Sequence, residues 1–226
     1  LLNESAQIVV EESAASKGKA IASIDSEYLD IRVRLTPEAQ DQNEANSAAE
    51  LFKQNKAQQA YQGLYNFLAT HEVDERSRAV LARQLLLEGR LAEAGDVLVG
   101  PIDTLSPQLR QIKARWHIAQ DESQLAIDVL TVQLPEISLY TDYYVLLASY
   151  YQRFGDLEKA YETYSLLIQF DDNIADWWAG LGIASDRLNQ KQQAKYAYSQ
   201  ASQLPGLNAG LVSFIDHRIN ELKYLK

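Results

Sequence analysis

Residues 141–171 read TDYYVLLASYYQRFGDLEKAYETYSLLIQFD. Apolar residues recur at three- and four-residue steps on both sides of Gly155, and no proline interrupts them, so the stretch predicts two helices joined at the glycine. Ala160 follows that turn, with Tyr164 one helical turn beyond it. The same small residue returns at Ala60, Ala94, Ala126 and Ala194, so the five alanines stand 34, 32, 34 and 34 residues apart. Each is followed four residues later by Leu64, Leu98, Leu130, Tyr164 or Tyr198. A small residue at fixed phase inside a helical hairpin marks the place where two helices cross closely. One hairpin cannot bury its own apolar face, so a chain built this way is ordered by stacking each hairpin on the next.

The period and the order of residue types resemble the tetratricopeptide repeat, a helix-turn-helix unit of 34 residues. In that register the fourth copy places Tyr144, Leu147, Ala148, Tyr151, Gly155, Ala160 and Tyr164 at the expected aromatic, leucine, small, aromatic, turn, alanine and aromatic positions. The fifth supplies Trp178, Leu181, Gly182, Ala194, Tyr198 and Ala201, with Ser185 in place of an aromatic and Asn189 in place of the turn glycine. The first three copies rest on phase more than identity: Ala48, Leu51, Ala60 and Leu64, then Leu81, Ala82, Gly89, Ala94 and Leu98, then Ala114, Ala126 and Leu130. The expected fold is all-α: a superhelix of about five helix-turn-helix units, a C-terminal capping helix and an extended N-terminal segment.

Boundaries follow from capping and breaking residues. Thr36-Pro37-Glu38 and Ser106-Pro107 both read as helix starts: a hydroxyl that caps free amides, followed by proline at the first helical position. Gly100-Pro101 ends the second copy's second helix early and accounts for the 32-residue step. The predicted organisation is a flexible or extended linker over 1–34, repeats over 35–206 (about 37–70, 74–101, 107–137, 141–171 and 174–205), and a capping helix over 207–226. In the cap, Leu211, Phe214, Ile215, Ile219, Leu222 and Leu225 share one face and Asp216, His217, Asn220 and Glu221 the other. Residues 20–35 (AIASIDSEYLDIRVRL) alternate weakly and read as a strand or a docked segment.

The 226 residues carry 31 acidic against 21 basic side chains, a net charge of -10 that repels nucleic acid. With no cysteine, disulfides, thiolate metal sites and thiol catalysis drop out together. The longest apolar run, Tyr143 to Tyr151, falls far short of the roughly 20 residues of a membrane-spanning helix. Because the sequence opens at Leu1 and holds no methionine, it is expected to be a piece of a longer product, from which an N-terminal signal or anchor could have been removed.

No catalytic, cofactor or metal site is legible. His71, His117 and His217 fall at unrelated helical phases, and no HExxH, GxSxG, phosphate-loop or GxGxxG pattern is present. Asp171 and Asp172 sit at an inter-repeat turn, where Asp172 is expected to cap the next helix. The expectation is therefore a binding protein rather than an enzyme, with a protein or peptide partner. In the repeat register, positions 2, 5, 9 and 12 of each first helix line a concave face. These are Gln42, Ala45, Ala49 and Phe52; Arg76, Ala79, Arg83 and Leu86; Gln108, Gln111, Arg115 and Ile118; Asp142, Val145, Ser149 and Gln152; Asp176, Ala179, Ile183 and Asp186. The middle is basic and the far end acidic. Arg76, Arg83 and Arg115 suit an acidic segment or a terminal carboxylate, which guanidinium grips in two-pronged fashion; the competing reading pairs them with neighbouring acids such as Glu75 or Glu122. Nine of the 13 tyrosines lie between Tyr140 and Tyr198. Tyr140, Tyr143, Tyr150, Tyr161 and Tyr196 occupy positions where the repeat does not ask for a ring, and they are the candidate contact tyrosines. The expected groove is thus Arg76, Arg83, Gln108, Gln111, Arg115, Asp142, Tyr143, Ser149, Gln152, Asp176 and Asp186.

Tetratricopeptide clamps for chaperone tails want Lys and Asn at positions 5 and 9 of the first unit; Ala45 and Ala49 stand there. A nearer resemblance lies in residues 31–40 (IRVRLTPEAQ) and 176–222 (DWWAGLGIASDRLNQKQQAKYAYSQASQLPGLNAGLVSFIDHRINEL). Together they are similar to the MSHA pilus biogenesis proteins of the MshN family, in which a valine-and-leucine-Thr-Pro segment precedes the repeats and an arginine, here Arg218, precedes the last apolar turn of the cap. That resemblance implies a bacterial inner-membrane protein with one N-terminal anchor and a periplasmic repeat domain, acting as a scaffold for other pilus-assembly proteins without turnover of its own. A cytoplasmic address, a pilotin-like lipoprotein or adaptor of another assembly system, and a regulatory appendage of an enzyme encoded upstream fit the same repeats.

Overall fold

The computed structural model describes residues 35–223, so the segment read as a linker (1–34) and Leu225 of the cap lie outside the described residues. Eleven α-helices and no strand are found among those described. They fall into two compact units divided between Gln84 and Leu85.

The first unit opens where the threonine-proline signal places it. Thr36 accepts a hydrogen bond from the Ala39 amide at 3.2 Å, and Pro37 begins α1 (Pro37–Lys53). A three-residue turn returns the chain as α2 (Ala57–Thr70), and α3 (Glu75–Leu87) follows. Ala45, Ala48, Ala60 and Leu64 are buried between the first two helices. Gly63 on α2 leaves room for the Glu44 carboxylate, which a methyl group there would meet at 2.5 Å.

The start of α3 is fixed by a side chain from 35 residues upstream. Asp41 on α1, only 2% exposed, accepts hydrogen bonds from the amides of Arg76 (2.8 Å) and Ser77 (2.9 Å), while Ser77 Oγ donates to the Asp41 carbonyl at 3.3 Å. A carboxylate at a helix N-terminus satisfies free donors and meets the positive end of the helix dipole. Arg78 then closes a two-pronged pair onto Asp74, through Nε at 3.1 Å and Nη2 at 2.6 Å.

In the second unit the helices are α4 (Leu91–Val97), α5 (Pro107–Ile118), α6 (Ser123–Thr131), α7 (Thr141–Phe154), α8 (Leu157–Phe170), α9 (Ala175–Arg187), α10 (Lys191–Gln203) and α11 (Ala209–Lys223). The break at Gly100-Pro101 leaves α4 two turns long. Side chains from α5 take up its carbonyls: Trp116 Nε1 donates to Leu91 O at 2.8 Å and Lys113 Nζ to Leu98 O at 3.1 Å, burial holding the Lys113 ammonium below its ordinary pKa. Ser106 caps α5 through the Leu109 amide, as its Ser-Pro signal predicts. Asp172 does not cap α9: its neighbour Asp171 forms a turn with the Asn173 amide, and the helix begins behind Ile174 without a side-chain cap.

All five phase-marking alanines are fully buried. Five residues before each, the turn between paired helices contains one left-handed residue: Asn55 (φ 59°), Gly89 (72°), Asp121 (62°), Gly155 (99°) and Asn189 (61°). Asn and Asp tolerate this conformation better than other side chains, so the third copy keeps its turn without the expected glycine. Farther on, Tyr164 and Tyr198 lie flat against bare backbone of α9. A methyl group on Gly180 would meet Tyr164 Cζ at 2.3 Å, and one on Gly182 would meet Tyr198 Cδ1 at 2.5 Å.

Helix α11 covers the last hairpin with Ile215 and Leu222 buried and Leu211 and Ile219 half-buried, while Phe214 sets its ring edge-on to Tyr198 at 6.0 Å. Arg218 closes the seam by gripping Asp186 of α9 with Nε and Nη2, each at 2.8 Å.

Candidate functional site

The expected binding residues sit on the first helix of each hairpin, and each unit presents its own set. In the first unit Arg76 and Arg83 both project from the exposed face of α3, two helical turns or about 10 Å apart along the axis. Asp41 fixes the backbone under Arg76. Neither guanidinium makes a hydrogen bond or ion pair among the described residues, although Glu75 is adjacent in sequence. On the same helix Arg78 is neutralised by Asp74, which leaves Arg76 and Arg83 as the cationic groups offered outward, beside the exposed Glu75.

In the second unit α5 carries Gln108 and Arg115 exposed and Gln111 half-buried. Glu122, the expected neutraliser of Arg115, is instead bonded to His117 Nδ1 at 2.7 Å, so Arg115 has no carboxylate partner among the described residues. Arg115 lies near the buried Tyr150, whose phenol is raised by burial and lowered in part by Arg115 and Arg153. On α7, Asp142 is exposed, Ser149 folds back to donate to Leu146 O at 2.7 Å, and the Gln152 carbonyl is taken by Arg187 of α9. Asp176 on α9 is exposed and close enough to Tyr164 to add to the effect of burial, which together push that phenol up to about 12.

Two of the expected groove residues are elsewhere engaged. Tyr143 is fully buried: it lies on the inward face of α7, and its hydroxyl donates to Leu130 O at 2.8 Å, so it presents no surface to a partner. Asp186 is consumed within the chain by Arg218 and by Lys191 at 3.1 Å. The acidic end of the expected face reduces to Asp142 and Asp176. Tyr150 is buried as well, and of the five candidate contact tyrosines Tyr196 is the most exposed.

A cleft that the register did not anticipate lies between α8 and α10. Tyr161, Ile168, Trp178, Leu181 and Tyr196 line about 260 Å³, with Trp178 set edge-on to Tyr196 at 5.7 Å and Gln193 Nε2 donating to Tyr161 Oη at 3.5 Å. Trp178 fills the repeat's own aromatic position, and its edge-on pairing with the off-register Tyr196 turns it towards the cleft that Tyr161 also lines. Among the described residues no group of three or more His, Cys, Asp or Glu is placed to hold a metal ion, and no helix is long and apolar enough to cross a membrane.

No protein-family model matches the chain, and no curated protein matches it in sequence. Solved structures do match in fold. The Pseudomonas aeruginosa protein PilF superposes with a TM-score of 0.62 at 14% identity, over 82% of this chain and 90% of its own. MamA gives 0.58 at 20% identity, covering 74% and 91%. YrrB, described as a tetratricopeptide protein with an unusual peptide-binding site, gives 0.58 at 15% identity, covering 77% and 90%. The fold is that of the tetratricopeptide proteins.

Proposed function

We propose that the chain is a protein-interaction scaffold whose partner presents an acidic segment or a free C-terminal carboxylate. The observation that carries this reading is the pair Arg76 and Arg83: two guanidinium groups on one exposed helix face, in a protein of net charge -10, with no carboxylate among the described residues closing on either. Arginines left open in an acidic protein are suited to two-pronged carboxylate recognition. YrrB, alike in fold, supports a peptide as the class of partner. Arg115, likewise without a carboxylate, adds a third such group on the second unit. The work of such a chain is to hold partners in place, without turnover of its own.

The setting we propose is assembly of an MSHA-like type IV pilus, with this chain the periplasmic part of an inner-membrane-anchored protein. Residues 31–40 and 176–222 support it through their resemblance to the MshN family, and the likeness in fold to PilF is in keeping with it. The test is affinity purification of the anchored parent from piliated cells, beside a variant with Arg76, Arg83 and Arg115 replaced by alanine. Pilus-assembly proteins are expected with the parent and depleted from the variant. Recovery of the same proteins with both removes the arginines from the reading, and recovery of none removes the pilus.

A further inference from the structure

Between Arg115 and Arg153 the sequence has no lysine or arginine, but it has five carboxylates, Asp121, Glu122, Asp128, Glu136 and Asp142. The second helix of this hairpin is also short: α6 has nine residues, whereas α8 has 14 and α10 has 13, and α4 alone is shorter with seven. The exposed side of α6 and the connection after it carry large apolar side chains in water, Leu125 at 46%, Val132 at 48%, Leu134 at 52% and Leu139 at 72% exposure. Leu125, Asp128 and Val132 follow one another at helical steps on one face.

The connection is not loose. Its backbone is pinned from the core side by two side chains, Tyr144 donating to Pro135 O at 2.6 Å and the buried Arg110 to Gln133 O, while Tyr143 holds the end of α6 through Leu130 O at 2.8 Å. Ile137 packs inward against the core. The carbonyls are therefore satisfied from beneath while Val132, Leu134 and Leu139 are held outward, a preorganised apolar surface with low ordering cost on binding. Among the described residues Asp128 and Glu136 side chains hydrogen-bond only neutral groups, Gln124 and Ser138.

We propose that this face docks an amphipathic helix of a partner protein, its apolar stripe on the four exposed side chains and its lysines or arginines against Asp128 and Glu136. Charge decides the occupant. A second copy of this chain related by a two-fold axis would set acidic face against acidic face, and an anionic lipid surface would meet the same repulsion; a cationic helix gains from both the apolar stripe and the field. The face shares no residue with the arginine pair of α3, so each is tested by its own variants.

The probe is a labelled synthetic helix with a leucine stripe flanked by lysines, titrated against the full chain by fluorescence anisotropy, beside the same peptide with glutamates for lysines. The lysine peptide is expected to bind, weakening as salt rises. Leu134→Ser/Leu139→Ser is expected to raise Kd about tenfold or more, as is Asp128→Lys/Glu136→Lys, with the melting temperature unchanged because the altered groups are exposed. Arg76→Ala/Arg83→Ala is expected to leave binding intact. No binding by the lysine peptide, equal binding by the glutamate peptide, or indifference to Leu134→Ser/Leu139→Ser overturns the proposal. A dimer in sedimentation that the serine variant dissolves also overturns it, by assigning the face to a second copy.

Discussion

Replacing Asp41 by alanine tests how the first unit is tied together. The carboxylate receives the amides of Arg76 and Ser77 at 2.8 and 2.9 Å, is 2% exposed, and sits at the positive end of α3. A hydrogen bond to a charged group contributes about 1.5–3 kcal/mol, and a buried amide left without a partner costs about 1–3 kcal/mol. Ser77 is fully buried, so water cannot replace the lost acceptor there, whereas the Arg76 amide is only half-buried. The expected loss is about 2–4 kcal/mol, more than the roughly 1 kcal/mol of an ordinary helix cap. Asp41→Asn keeps an acceptor oxygen but not the charge, and about half that loss is expected. Urea unfolding followed by circular dichroism measures the stability, and hydrogen exchange at the Arg76 and Ser77 amides shows whether the first turn of α3 has opened. A loss below about 0.5 kcal/mol for Asp41→Ala, with those amides still protected, would refute the reasoning.

Gly182→Ala places a methyl group 2.5 Å from the Tyr198 ring, which is fully buried and has nowhere to go; a loss of roughly 1–3 kcal/mol is expected in the same urea assay. At the left-handed turns, Gly155→Ala is expected to cost about 1 kcal/mol, while Asp121→Gly is expected to be neutral or to raise the melting temperature slightly. The Tyr164 phenol is pushed up to about 12 by burial, then by Asp176, so the unfolded chain loses that proton first. Its contribution is whole below about pH 10 and is lost as pH rises from there towards 12, at up to roughly 1.4 kcal/mol per pH unit. Urea midpoints taken across that range should fall less steeply in Tyr164→Phe, and an unchanged slope would remove the assignment.

What was legible in the sequence was whatever repeats. The alanines are contact points where nothing larger fits, so their spacing survives in all five copies and gives the hairpins. The left-handed turns were half legible: Gly89, Gly155 and Asn189 were expected, but Asn55 and Asp121 meet the same torsion with residue types that also populate ordinary loops. Single, non-repeating solutions were invisible. Asp41 caps a helix 35 residues away, and nothing in its local sequence distinguishes it from a solvated acid at the start of α1. Tyr143 was singled out because the repeat asks for no ring at its position, but composition cannot tell a ring left for a partner from one that fills a local gap, and this one is buried with its hydroxyl on Leu130 O. Asp186 was read as part of the acidic end of the groove, and its partner Arg218 could not be foreseen because it belongs to the cap, outside the repeat register. The cleft beside Tyr196 required knowing that Tyr161 and Trp178, 17 residues apart in sequence, share one surface.

The rings of Tyr164 and Tyr198 resting on naked glycine backbone have a mechanical meaning. At those two glycines the separation of α9 from α8 and from α10 is gauged by the thickness of an aromatic plate. A scaffold pulled by what it carries would transmit force through that joint as through a solid spacer, and its compliance would lie in segments whose helices are parted by longer, softer side chains.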